Sequence, residues 1–340
     1  MQITEGSPVQ ANDSKQGTAP TRISVHGPVT LSRFAWFSLA YNVLVVLWGA
    51  FVRATGSGAG CGRHWPLCNS EFLPVTSQAQ TLIEFTHRAT SGLSLLLVAI
   101  LLVWSWRHTA RGEFPRYSAA AAAIFLVNEA LLGAMLVAFE HVGMDRSASR
   151  AVFLSLHFGN TLLLVAALTL TANWLSNSPQ RLAFFAEGFE RVAIPIGLFC
   201  VMATGMTGSL AALGDAIFPG ATLKDALVQD FSSNSHVLLR LRTLHPVVAA
   251  VAVLYVLWMV QKLSKNRKES TGIFPFLTAT LLAQVALGSL NVFLLAPVWL
   301  QLTHLLGAEI LWILLVLASA NLLENSSFRS SRQRRPLRAV

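Results

Sequence analysis

Four histidines sit where histidine is costly. His87, His157, His245 and His304 each fall inside a run of mostly apolar residues. An ionisable side chain carried into lipid is usually there for a function. The four form two pairs, His87 with His157 and His245 with His304. Two imidazoles on facing helices at one depth suit a flat macrocycle held edge-on, with one nitrogen on each face. That is bis-histidine ligation of a haem iron. Zinc or copper prefers three or four close ligands, often cysteine or carboxylate. The second pair has only Glu309 nearby. The other five histidines, His26, His64, His108, His141 and His236, lie in a tail or beside loops and read as solvated.

Charges cluster around the same histidines. Arg88 follows His87, Arg150 precedes His157 by seven residues, and Arg240 and Arg242 precede His245. Guanidinium groups there suit the two propionates of a haem. Ordinary interfacial snorkelling is the plainer reading of each one. Glu84 lies three residues before His87 and therefore on its helical face. The matching position before His245 is Arg242. A pure electron carrier has no need of a buried acid there, so Glu84 marks the first pair as the place of chemistry. The alternative is a Glu84 paired with Arg88 or Arg53. The Gly-rich segment from Gly56 through Trp65-Pro66 to Cys68 holds Cys61 and Cys68. Outside the cytoplasm these two can form a disulfide, structural or redox-active. Cys200 sits alone in an apolar run and reads as a small buried hydrophobe.

The elements that must carry these residues are membrane helices. Apolar residues make up 54% of the 340-residue chain and charged residues 12%, with a mean hydropathy of +0.55. A soluble domain carries about 25% charge. Eight runs reach the roughly 20 apolar residues that a span requires: approximately 34–53, 82–104, 117–139, 151–174, 191–211, 236–260, 273–295 and 298–322. Backbone in lipid must satisfy its own hydrogen bonds, so all eight are predicted helical. The expected fold is an all-α integral membrane protein of eight transmembrane helices.

Connections with Arg107, Arg111 and Arg116, with Arg181 and Arg191, and with Lys262, Lys265, Arg267 and Lys268 share one side with both termini. That basic side is expected to be cytoplasmic, in the cell membrane. The net charge of +9 sits at segment ends and in the arginines of the C-terminal tail. It points to lipid head groups, not nucleic acid. All four histidines lie about six to nine residues into inward-running helices, roughly 9–14 Å below the outer boundary.

Internal similarity divides the chain. Gly133-Ala-Met-Leu-Val matches Gly288-Ser-Leu-Asn-Val, His87 matches His245, and His157 matches His304. Thr55-Gly56-Ser57 resembles Thr207-Gly208-Ser209. An even number of helices per copy implies a parallel repeat of two pseudo-symmetric four-helix bundles. The expected divisions are a disordered cytoplasmic tail over 1–32, halves at 33–175 and 190–323, and a basic cytoplasmic tail over 324–340.

Taken together, these residues resemble the haem A synthase family. The matching elements are Val52-Arg53-Ala-Thr55-Gly56-Ser57-Gly58-Ala-Gly-Cys61, Trp65-Pro66-Leu67-Cys68, Glu84-x-x-His87-Arg88, His157, Arg242-x-x-His245-Pro246, Gln284 with Gly288 and Asn291-Val292, and His304. The likeness covers roughly residues 34–322. It implies oxidation of a methyl group of haem O to the formyl group of haem A, for terminal oxidase assembly. It also implies that His87 and His157 are axial to haem O or haem A, and His245 and His304 to haem b. Glu84 would be the essential acid, with Cys61 and Cys68 as the paired outer cysteines. Implied partners are a haem O synthase and the oxidase assembly machinery, with a homo-oligomer as a further expectation. The long outer loop 212–235 lacks the second cysteine pair that some relatives carry. The competing reading is a di-haem b cytochrome that only passes electrons, for example from quinol.

Overall fold

The computed structural model describes residues 29–75, 78–177, 189–265 and 272–333. Among these residues the fold is helical, with no strand longer than an isolated bridge between Cys68 and Glu71. The helices are α1 (Val29–Ala54), α2 (Ala79–His108), α3 (Phe114–Ala138), α4 (Ala148–Asn177), α5 (Phe189–Ile217), α6 (Leu223–Phe231), α7 (Val237–Lys265), α8 (Ile273–Phe293) and α9 (Val298–Gln333). All but α6 are long and apolar enough to cross a membrane. The chain is a multi-pass membrane protein.

Three boundaries differ from expectation. Helix α1 begins at Val29, inside the segment expected to be a tail; the rest of that tail lies outside the described residues. Helix α5 runs on to Ile217, and α6 occupies part of what the apolar pattern shows only as a loop. Thr222 caps α6 by accepting from the Asp225 N–H. Helix α9 continues as far as Gln333, past the expected start of the basic tail.

Within the first half α1 packs on α2 and α4, α2 on α3, and α3 on α4. In the second, α5 packs on α7 and α9, α7 on α8, and α8 on α9. Across the middle, α4 meets α5 and α9, and α1 meets α9 and α5. Lipid supplies no hydrophobic drive between helices, so close approach and internal hydrogen bonds must hold them. A methyl on Gly205 would stand 2.7 Å from Phe158 Cε1, and one on Gly159 3.2 Å from Met206 Sδ, so α4 and α5 touch closely. Trp312 Nε1 donates to the Leu162 carbonyl at 2.7 Å and ties α9 to α4.

One apolar core spans both halves. It includes Leu31, Leu39, Leu101, Ala122, Leu168, Val256, Leu277 and Leu315. These residues lie towards the end of the molecule where α1 begins and α2 ends. The opposite end has only a small cluster of Ala151, Leu213, Ile217 and Leu238. The four histidines belong to that less densely filled end.

Candidate functional site

Each histidine faces a glycine on the preceding span. A methyl added to Gly49 on α1 would lie 3.0 Å from His87 Cε1, and one on Gly133 on α3 would lie 3.6 Å from His157 Cε1. In the second half, a methyl on Gly208 on α5 would lie 3.0 Å from His245 Cε1, and one on Gly288 on α8 3.4 Å from His304 Cε1. The missing side chains let four imidazoles nest against helix backbones. The histidines sit about six to nine residues from the starts of α2, α4, α7 and α9, or roughly 9–14 Å along those helices. His87 lies within electrostatic range of His157, and His304 within range of His245.

The second ring nitrogens differ. His87 Nδ1 is buried without a hydrogen-bond partner. His245 Nδ1 lies 3.3 Å from Thr207 Oγ1. The Gln284 amide reaches within 3.0 Å of His304 Nδ1. His157 Nδ1 is 3.3 Å from Glu129 Oε1 but not aligned as a hydrogen bond. Paired, half-buried imidazoles, two of them with an orphaned ring nitrogen, in a sparsely filled end of each half fit a haem's axial requirements. Among the described residues no three His, Cys, Asp or Glu side chains converge to hold a metal ion.

Glu84 is neither free nor alone. Its carboxylate accepts from Arg88 Nη2 at 2.5 Å and from the Cys61 backbone N–H at 2.8 Å. Cys61 and Cys68 are joined as a disulfide. Arg88 also donates to the carbonyls of Gly62, His64 and Leu67. One ion pair on α2 therefore clamps the whole disulfide loop over the His87 end. The alternative pairing of Glu84 with Arg88 is the one present.

The other arginines are engaged too. Arg242 is bound by Asp215 at 3.1 Å and by Asp230. The position that carries Glu84 in the first half thus carries an oppositely charged, locally neutralised group in the second. Arg150 donates to the carbonyls of Gly143 and Asp145, both at 2.8 Å. A propionate would share Arg88 and Arg242 with carboxylates they already hold, whereas Arg150 makes its direct bonds to carbonyls. Arg240 bonds Ser233 and Ser235 in the segment before α7. Beside Arg150, burial works to raise the Asp145 carboxyl, but hydrogen bonds from the Ser147 hydroxyl and N–H and from His141 outweigh it and hold the carboxyl below its ordinary value.

Several residues of this site were not found from sequence. Glu129 is an acid inside an apolar helix, and its register with Gln284 follows the Gly133–Gly288 match. Gly49 and Gly208 form a matched pair against His87 and His245. That corrects the resemblance drawn between residues 55–57 and 207–209. Gly56 lies in a turn beyond α1 with φ of 66°, whereas Gly208 lies within α5. Asp215 and Asp230 gave no signal beyond being charged. Glu309 is wholly buried, and neither carboxylate oxygen has a hydrogen-bond partner among the described residues.

The sequence matches the cytochrome oxidase assembly protein family, COX15-CtaA, over residues 32–316. Among curated relatives, a protein of Thermus thermophilus named protohaem IX farnesyltransferase is 44% identical over 306 residues. Those residues cover 88% of this chain and 49% of that protein, so this chain spans about half the relative's length. A haem A synthase of Geobacillus kaustophilus is 29% identical over 283 residues, covering 79% of this chain and 85% of the relative. A haem A synthase of Bacillus licheniformis is 35% identical over 169 residues, covering 48% and 53%.

Proposed function

The chain belongs to the cytochrome oxidase assembly protein family, and on that premise we propose that it is a haem A synthase, oxidising a methyl group of haem O to the formyl group of haem A. The observation that carries the proposal is the four histidine–glycine contacts at one depth. They support two macrocycle sites per chain, arranged as a parallel repeat of α1–α4 and of α5 with α7–α9. The outer end, with the disulfide loop, faces away from the cytoplasm, and both termini are cytoplasmic in the cell membrane.

His87 and His157 hold the substrate haem, and His245 and His304 hold haem b. A bound haem b supplies one-electron redox chemistry close to the substrate. Glu84 is the acid of the reaction site, three residues and so one helical face from His87. Arg88 and the Cys61 N–H hold its carboxylate in one orientation, and a fixed carboxylate stabilises positive charge developing at a nearby carbon. Arg150 takes a propionate of the substrate. The close helix contacts and the disulfide loop exclude water.

The two names among the relatives are compatible. This chain covers 85% of the Geobacillus haem A synthase but only about half of the Thermus protein named for farnesyl transfer. The shared half is then the oxidising one, and farnesyl transfer to protohaem is the class of reaction that supplies its substrate. Expression of the chain in a host supplied with haem O, followed by chromatography of extracted haems, tests the proposal. Haem A should accumulate in the presence of the chain; unchanged haem O would refute the activity.

A further inference from the structure

The two halves hold their α4 and α9 histidines differently. Glu129 lies one turn before Gly133 on α3, and Gln284 one turn before Gly288 on α8. Each therefore shares a helical stripe with the glycine that faces the histidine. Glu129 Oε1 stands 3.3 Å from His157 Nδ1, and the Gln284 amide 3.0 Å from His304 Nδ1. One half thus places a carboxylate where the other places a neutral amide.

The carboxylate has its own support. Asn160 and Thr161, three and four residues beyond His157 on α4, both donate to it. Asn160 also donates to the Phe125 carbonyl at 2.8 Å, and its own side-chain oxygen accepts from Asn128 at 2.8 Å. The equivalent positions beyond His304 are Gly307 and Ala308, which have no side-chain donors. A carboxylate whose two oxygens each accept from a donor on α4 is fixed in place and offers His157 an acceptor. Gln284 can donate or accept and carries no charge.

We propose that Glu129 is a positioning residue for His157, setting its tautomer and making the first-half iron site the more reducing of the two, with Gln284 as its neutral counterpart at His304. The inference rests on the haem reading above. An acceptor at Nδ1 keeps the proton there and leaves Nε2 free as the ligand. A negative charge 3.3 Å away acts on the ring without an aligned hydrogen bond. It raises the basicity of the imidazole and favours ferric over ferrous iron. The resulting difference drives electrons from the substrate half towards the second half, as oxidation of a substrate in the first half requires.

The test is a spectroelectrochemical titration of the full chain loaded with its haems. Glu129→Gln should shift the ferric–ferrous equilibrium of one haem about tenfold towards ferrous, ~59 mV for one electron, and leave the other haem in place. Gln284→Glu should shift the second haem in the opposite sense. Glu129→Asp should recover part of the wild-type potential. Full haem content with unmoved potentials in Glu129→Gln would overturn the inference while leaving the haem reading intact. Should Glu129→Gln fail to retain its haem, Gln284→Glu decides: a lowered second potential supports the inference and an unchanged one refutes it. A wild-type chain purified without haem would refute the haem reading itself.

Discussion

Replacing Gly208 with alanine should release haem from the second half, whereas the same change at Gly288 should not. A methyl on Gly208 would stand 3.0 Å from His245 Cε1. Ordinary carbon contacts lie at about 3.5–4.0 Å, so the ring must retreat by about 0.5 Å. The methyl is fixed to a helix backbone and cannot move away. Metal–ligand distances tolerate only about ±0.2 Å. Overpacking of this kind costs roughly 1–3 kcal/mol, which converts to a loss of about 5–150-fold in affinity, a range that spans the losses when a ligand's support is disturbed. A methyl on Gly288 would stand 3.4 Å from His304 Cε1, near ordinary contact, and should be accommodated. The first half repeats the contrast, with Gly49→Ala (3.0 Å) damaging and Gly133→Ala (3.6 Å) mild. The assay is haem content per chain with the visible spectrum of each purified variant. A Gly208→Ala protein with full haem and an unchanged low-spin spectrum would refute the reasoning. So would a Gly288→Ala protein that loses as much haem as Gly208→Ala.

Other perturbations separate chemistry from support. Glu84→Gln keeps an acceptor for the Cys61 N–H and should retain haem while abolishing haem A formation; chromatography of extracted haems measures both. Arg242→Ala leaves Asp215 and Asp230 without their cation and should destabilise the fold by ~3 kcal/mol, the lower end for a broken buried pair because Asp215 is partly exposed; a thermal melt in detergent reads it, and an unchanged midpoint would show the cluster to be dispensable. Around Asp145 the folded carboxyl lies below its ordinary value of 3.8. Its contribution should be fully present above about 3.8 and disappear only as pH falls through the lower folded value. Hydrogen exchange at the Ser147 amide, which donates to Asp145, should therefore stay slow at pH 4; loss of protection between pH 6 and 4 would contradict the assignment.

The eight spans were legible because hydrocarbon thickness fixes helix length and lipid forbids unpaired backbone. The four histidines were legible because each interrupts an apolar run. What the sequence could not show depends on rotation and loop path. Gly49 and Gly208 are ordinary small residues until α1 and α5 turn them towards His87 and His245. Glu84 meets the Cys61 N–H across 23 residues, and Arg242 meets Asp215 across 27. Both contacts depend on how a connecting loop folds back. Helix α6 carries too short an amphipathic pattern to stand out within the 24-residue segment 212–235. Glu129 was hidden by its context: a lone acid in an apolar helix acquires meaning only beside His157 and opposite the register of Gln284.

The central claim is that one chain holds two haems, with the substrate in the first half. It is tested most directly by extracting and identifying the haems of the purified protein and of its His157→Ala and His304→Ala variants. The account predicts haem b together with haem O or haem A in the wild type, loss of haem O and haem A in His157→Ala, and loss of haem b in His304→Ala. Haem b as the sole species when haem O is supplied would contradict it, and the reverse pattern of losses would exchange the roles of the two halves.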